Sequence, residues 1–191
     1  VLPASRAFSL ATAGCNFHCK FCQNWEISQA RPDDTYNYSL PPDQAISNAL
    51  LYKSDVIAST YVEPIIFIEY MLEIGRLAKS QPLLKVMHSN GFINAKPLED
   101  LCDVLDAACI DLKGFTQEYY QTLTEGSLEP VLNTLKILKA RQVHTEIVNL
   151  MVPGKNDDMQ QVRAMCQWIY KELGPDIPLH FSRFYPRYKL K

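Results

Sequence analysis

The sequence predicts an α/β fold built on a parallel sheet of six strands. Two observations carry it. Six short apolar runs of strand length alternate with five longer connections of helical character, and such alternation demands parallel strands joined by right-handed crossovers. The cysteines and other polar motifs fall just after those runs, at the strand ends where parallel sheets gather ligands. An open doubly wound sheet and an incomplete barrel both satisfy these observations, and periodicity does not choose between them.

Each element has its own signal. Residues 7–13 are apolar and form the first strand, ended by a cysteine-rich loop. Residues 23–41 are polar, punctuated by proline, and read as a long crossover. Pro42 opens a helix through Ala45, Ile46, Ala49 and Leu50, proline being suited to a first turn. Residues 55–60 are the second strand. Glu63-Pro64 starts an amphipathic helix with Ile66, Tyr70, Ile74 and Leu77 on one face. Residues 83–88 are the third strand, ended by Ser89-Asn90-Gly91. A helix at 97–105 leads to a fourth strand at 107–112. Ser127 is positioned to cap a helix reaching Ala140, with Val131, Leu135 and Leu138 inward. Residues 143–152 form the fifth strand, closed by Pro153-Gly154. Asp157 caps a helix to Leu173, Gly174 ends it, and residues 178–184 are the last strand.

A chain of 191 residues with 47% hydrophobic content can bury one substantial core. The net charge of −2, from 19 basic and 21 acidic residues without like-charged runs, predicts neither a nucleic-acid nor a membrane surface. No apolar stretch has the length of a membrane span and no signal peptide is visible, so a cytoplasmic location is expected. Cys102, Cys109 and Cys166 lack ligand spacing and are expected as buried thiols in a reducing compartment. The chain opens at Val1 and stops at Lys191 just after a strand. It reads as one core domain, 1–191, of a longer protein.

Half of the six cysteines lie in Gly14-Cys15-Asn16-Phe17-His18-Cys19-Lys20-Phe21-Cys22-Gln23-Asn24. Their i, i+4, i+7 spacing could be one face of a helix with thiols as core filler. A straight helix would separate Cys15 and Cys22 by about 10 Å along its axis, too far for one small cluster. Shared ligation therefore needs a curled loop, which Gly14 and Asn16 suit. A structural zinc site closes with four ligands, and no second pair follows. Iron–sulfur clusters take cysteine thiolates, ordinarily four; three on a [4Fe–4S] cube leave one iron open.

This loop, with aromatic Phe21 before the third cysteine, resembles the cluster loop of the radical S-adenosylmethionine (radical SAM) superfamily. The resemblance extends over nearly the whole chain. It is closest to the activase-like branch called AmmeMemoRadiSam, similar to pyruvate formate-lyase-activating enzymes. It implies a partial (β/α)6 TIM-like barrel. It also implies a [4Fe–4S] cluster on Cys15, Cys19 and Cys22, with S-adenosylmethionine on the open iron. Tyr61-Val62-Glu63 stands where the superfamily has a Gly-Gly-Glu element holding the methionine ammonium; the plain alternative for Glu63 is a carboxylate at a helix start. Ile110-Asp111-Leu112-Lys113 resembles the Asp-Leu-Lys that holds the cofactor's ribose or carboxylate in activating enzymes, the alternative being a local ion pair. Ser89-Asn90-Gly91 resembles their Thr-Asn-Gly near the cofactor and is otherwise a turn. His88 replaces an aspartate that helps bind a cation there, so no cation site is implied. Asn149 is an inward candidate. Tyr185 stands in the closing strand where relatives usually have histidine.

The implied reaction is one-electron cleavage of S-adenosylmethionine to a 5′-deoxyadenosyl radical that abstracts hydrogen. The electron would come from a flavodoxin- or ferredoxin-like donor. The alternatives are a true activase acting on a glycine of a partner protein and, from another class, a non-catalytic iron–sulfur or zinc protein.

Overall fold

The computed structural model describes residues 2–190. Six strands form one parallel sheet: β1 (Ala7–Leu10), β2 (Val56–Ser59), β3 (Leu84–Ser89), β4 (Ala107–Asp111), β5 (His144–Met151) and β6 (Leu179–Arg183). Their spatial order is the chain order, β1 to β6. A doubly wound sheet reverses its order at a switch point, and this one does not. Right-handed crossovers that always advance in one direction place every helix on the same face. The sheet is thus a partial barrel, which resolves the choice left open by periodicity.

The burial pattern follows from that topology. Alternate residues of a strand face opposite sides. On the helix side Ile57, Met87, Ala108, Ile110 and Ile147 are buried. On the other side Ser9, Ala58, Val86, His88, Cys109, Val148, Leu150, His180 and Ser182 are half-buried or exposed. The concave face is therefore open to ligands, while stability comes from the convex one. Its principal core packs the middle and later strands against helices, and a second cluster of Leu10, Ala45, Ile46, Ala49, Ile57, Ile74, Ala78 and Leu83 lies near β1 and β2.

The helices are α1 (Trp25–Ser28), α2 (Pro42–Leu51), α3 (Ile68–Leu77), α4 (Ala95–Cys102), α5 (Gln117–Tyr119), α6 (Leu128–Ala140) and α7 (Met159–Glu172). Several differ from expectation for local reasons. The first strand ends at Leu10, because residues 11–14 already turn into the cysteine loop. The polar crossover contains α1 and a 3-10 turn, Pro32–Asp34. Glu63-Pro64 opens a second 3-10 turn, Pro64–Phe67, before α3 begins. That break shifts the helical phase, so Met71, Ile74 and Gly75 are buried while Ile66 and Leu77 are exposed. Between β4 and α6 the chain makes an extra helical segment, α5, continuing into a π-type turn, Tyr120–Thr124.

Ser127 stands at the cap position of α6, yet its side chain makes no capping bond; Gln117 Oε1 accepts from Leu128 N–H instead, at 3.0 Å. Asp158, not Asp157, caps α7 through Gln160 N–H, and Asp157 accepts from Gly154 N–H in the preceding turn. Cys102, Cys109 and Cys166 are half-buried rather than buried, and Cys109 lies on the open concave face. Among the described residues no helix is long and apolar enough to cross a membrane.

Candidate functional site: a cysteine-lined cavity at the strand ends

A cavity of about 620 Å³ opens at the C-terminal rim of the sheet. Its wall is assembled from every strand end. Cys15, Cys19, Phe21 and Cys22 come from the loop after β1; Tyr61, Val62 and Glu63 follow β2. His88, Ser89 and Asn90 end β3, Asp111 and Lys113 end β4, Val148 and Leu150 belong to β5, and Ser182, Arg183 and Tyr185 come from β6 and its exit.

The cysteine loop is curled, not helical. Gly14 has φ +109, a left-handed conformation that costs glycine little, and its N–H donates to Ile27 O at 2.9 Å. His18 and Lys20 N–H donate to Thr124 O and Leu123 O, each at 2.9 Å, so the extra turn after α5 backs the loop. Phe17, 1% exposed, packs on Phe92 and Tyr120 with ring centroids 5.0 and 6.0 Å away. At Gly126 a β-carbon would stand 2.2 Å from the Phe17 ring, so that close approach requires glycine.

Burial pushes the Cys15 thiol up to about 11 and the Cys19 thiol to about 12, so only a strongly electron-withdrawing centre would keep them ionised. The three thiols are near enough to feel one another's charge and none is in a disulfide. Among the described residues no three His, Cys, Asp or Glu side chains converge on one ion-sized point. A donor set of three separated thiols suits a cluster, in which each thiolate takes a different iron, better than a single zinc ion.

Across the cavity wall the charged groups are tightly held. Glu63 is 2% exposed and accepts from Ile65 N–H, Ser89 Oγ–H and Asn90 N–H at 3.2, 2.7 and 2.8 Å. Burial outweighs these bonds and lifts its carboxyl from 4.5 to about 7. Tyr61 adopts φ +71, uncommon for a bulky side chain, and its carbonyl accepts from Asn24 Nδ2 at 2.6 Å. The chain thus makes a left-handed turn, without glycine, just before Glu63. Asp111 lies between the Lys113 ammonium Nζ and the His88 imidazole Nε2, each at 2.8 Å. Burial alone would raise its pKa; the Lys113 ammonium and then His88 reverse this and hold the carboxyl well below the usual range. Burial likewise works against the Lys113 ammonium, but Asp111 holds its pKa above the ordinary value. The hydrogen bond to Asp111 raises that of His88.

Ser89-Asn90-Gly91 is both a turn and a brace. Asn90 Nδ2 donates to Asn16 Oδ1 at 2.7 Å and reaches Cys15 Sγ at 3.8 Å, while Asn16 Nδ2 donates to Phe92 O at 2.8 Å. The loops after β1 and β3 are thereby locked together. Tyr185 is exposed at the rim, with the Arg183 guanidinium 5.8 Å from its ring centre.

Asn149 is a correction. It faces the convex side, 2% exposed, where Nδ2 donates to Leu112 O at 2.7 Å and approaches Met165 Sδ at 3.8 Å. Its neighbours Val148 and Leu150 take the inward positions. Sequence reasoning also passed over Ser28 and Gln29, which reach the cysteine loop from α1 and its end. Nothing in the polar run around them marked that approach.

Comparison with known proteins gives a consistent result. The family described as "Radical SAM superfamily" matches residues 9–169. A protein of Methanocaldococcus jannaschii named "Uncharacterized protein MJ0808" is 39% identical over 188 residues, covering 98% of this chain and 56% of the relative. The chain therefore spans little more than half of that relative's length. The pyruvate formate-lyase-activating enzyme of Listeria monocytogenes is 22% identical over 173 residues, covering 85% of this chain and 68% of that enzyme. Among solved structures, SuiB of Streptococcus suis bound to S-adenosylmethionine aligns with a TM-score of 0.73 at 10% identity, covering 98% of this chain and 44% of SuiB. At that identity the likeness is one of fold.

Proposed function

From the premise that the chain belongs to the radical SAM superfamily, we propose that it is a [4Fe–4S]-dependent enzyme of the activating-enzyme type. In this reading Cys15, Cys19 and Cys22 hold the cluster through one thiolate each and leave one iron for the amino and carboxylate groups of S-adenosylmethionine. Bound there, the two groups would supply one-electron reductive cleavage of S-adenosylmethionine and, through it, hydrogen-atom abstraction from a substrate. The observation that carries the reading is the sharing of one cavity by three thiols from the loop after β1, a buried carboxylate after β2 and an ion-paired ammonium after β4.

The remaining work falls to this chain's own side chains. Glu63, with the backbone of Tyr61 and Val62, holds the methionine ammonium. Lys113 attracts the carboxylate as a point charge, and Asp111 accepts from ribose hydroxyls. Ser89 and Asn90 keep Glu63 and the cysteine loop in register. Phe21, 3% exposed, excludes water behind the thiols, and Tyr185 bounds the rim. The Tyr185 hydroxyl can donate or accept a hydrogen bond at the rim. Residues 1–191 act as the core domain of the activity, and a flavodoxin- or ferredoxin-like protein delivers the electron.

A second reading for the substrate is a glycine in a partner protein. The similarity to pyruvate formate-lyase-activating enzymes favours it.

The test is anaerobic reconstitution with iron and sulfide, then addition of S-adenosylmethionine and dithionite. Slow 5′-deoxyadenosine formation is expected, and none from Cys19→Ala. Equal yields from both would exclude the proposed role of the thiols.

A further inference from the structure

Ser28 closes α1 at 4% exposure, and its Oγ lies 3.2 Å from the Cys22 sulfur. Distance alone leaves open which atom donates; the neighbours fix the orientation of Gln29, and the charge state of the ligand sulfur fixes the rest. Gln29 Nε2 lies 3.1 Å from Phe17 O and 3.3 Å from Ser28 Oγ. A backbone carbonyl only accepts, so the nitrogen end of the Gln29 amide must face Phe17, and from there it also donates to Ser28. The opposite end, Oε1, accepts from His18 Nδ1 at 2.6 Å, which fixes the proton on that ring nitrogen. A Cys22 that ligates as a thiolate carries no hydrogen, so in that state Ser28 Oγ–H is the donor to the sulfur, while Ser28 Oγ accepts from Gln29. The bonds therefore run in one direction, from exposed His18 through Gln29 and Ser28 to Cys22.

The sulfurs differ in this respect. Cys15 meets Phe17 N–H at 3.4 Å and Asn90 Nδ2 at 3.8 Å. No hydrogen bond to the Cys19 sulfur is present among the described residues. Ser28 is thus the hydroxyl donor of the set, and it is held at a fixed angle by a neighbour that serves no other strand end. Hydrogen bonds to ligand sulfur are among the terms that set an iron–sulfur potential. A donor stabilises the more negative, reduced state more than the oxidised one.

We infer that Ser28 is a positioning residue that makes a cluster held by Cys22 easier to reduce, with Gln29 fixing the direction of its hydroxyl. The inference rests on the cluster reading above, and the experiment separates the two. Wild type, Ser28→Ala, Ser28→Thr and Gln29→Met are reconstituted anaerobically, and iron and sulfide are measured first. A wild type that takes up no iron contradicts the cluster reading and, with it, this inference. With iron bound, each protein is titrated with dithionite against redox mediators and followed by EPR. Ser28→Ala is expected to keep its iron and to show a reduced-to-oxidised ratio about tenfold lower at a fixed potential, a downward shift of about 59 mV for a one-electron couple. Ser28→Thr, which keeps the hydroxyl, should return most of the shift, and Gln29→Met should move part of the way in the same direction. Full iron with a wild-type potential in Ser28→Ala overturns the inference. If that variant takes up no iron, a wild-type potential in Gln29→Met overturns it equally.

Discussion

Glu63 Oε2 accepts the backbone N–H of Asn90 at 2.8 Å, joining the rim after β2 to the rim after β3. The same carboxylate also caps the 3-10 turn through Ile65 N–H. Its local structural role and its place in the cavity wall are therefore two aspects of one arrangement.

This burial makes a pH prediction. The folded chain raises the Glu63 pKa from 4.5 to about 7, so between those values the folded state holds a proton that the unfolded state has lost. The contribution to stability is full below about pH 4.5 and is lost as pH rises through about 7, a change on the order of 3 kcal/mol. Denaturant midpoints of the cofactor-free chain should fall across that window, and Glu63→Gln should lack that component of the slope. Identical slopes in the two proteins would show that Glu63 is ionised throughout.

Lys113→Ala should weaken S-adenosylmethionine binding by roughly 10- to 100-fold while leaving iron content intact, since a hydrogen bond to a charged group contributes about 1.5–3 kcal/mol. Equilibrium dialysis of the reconstituted protein measures this. Unchanged affinity would reduce Lys113 to the structural partner of Asp111.

Asn149→Ala should do the reverse. It leaves the buried Leu112 carbonyl without its Asn149 donor, at a cost of about 1–3 kcal/mol, and should leave cofactor affinity within about twofold. Thermal unfolding alongside the same dialysis distinguishes the two effects. A large loss of affinity at wild-type stability would return Asn149 to the site.

Gly126→Ala places a methyl group against the Phe17 ring and must displace the cysteine loop or the turn behind it. Overpacking of this kind costs about 1–3 kcal/mol. Iron uptake on reconstitution should fall although no ligand is altered. Normal uptake and stability would mean that the loop shifts freely.

Much of this site was legible because chemistry and period coincided. Three cysteines after an apolar run, and Asp111 and Lys113 alternating with apolar neighbours, both declared a rim. Six strand-like runs declared the parallel sheet, while sequential order became visible only in the pairing of strands. Asn149 misled because a polar residue inside a strand looks inward-facing; here the convex side offered the Leu112 carbonyl as a partner. The α3 face was misjudged because one continuous helical phase was assumed across the break at Phe67. Ser28 and Gln29 were invisible because their importance comes from the loop folding back, not from spacing. Tyr61 likewise hid a left-handed turn that a glycine would have advertised.

The central claim is that Cys15, Cys19 and Cys22 together hold a cluster with one iron open to S-adenosylmethionine. EPR of the anaerobically reconstituted, dithionite-reduced chain, recorded before and after S-adenosylmethionine is added, tests it most directly. About four irons per chain are expected, with a reduced-cluster signal that changes on addition and is absent from Cys15→Ala, Cys19→Ala and Cys22→Ala but present in Cys102→Ala. Stoichiometric tetrahedral zinc with no iron uptake, or a cluster signal indifferent to S-adenosylmethionine, would contradict it.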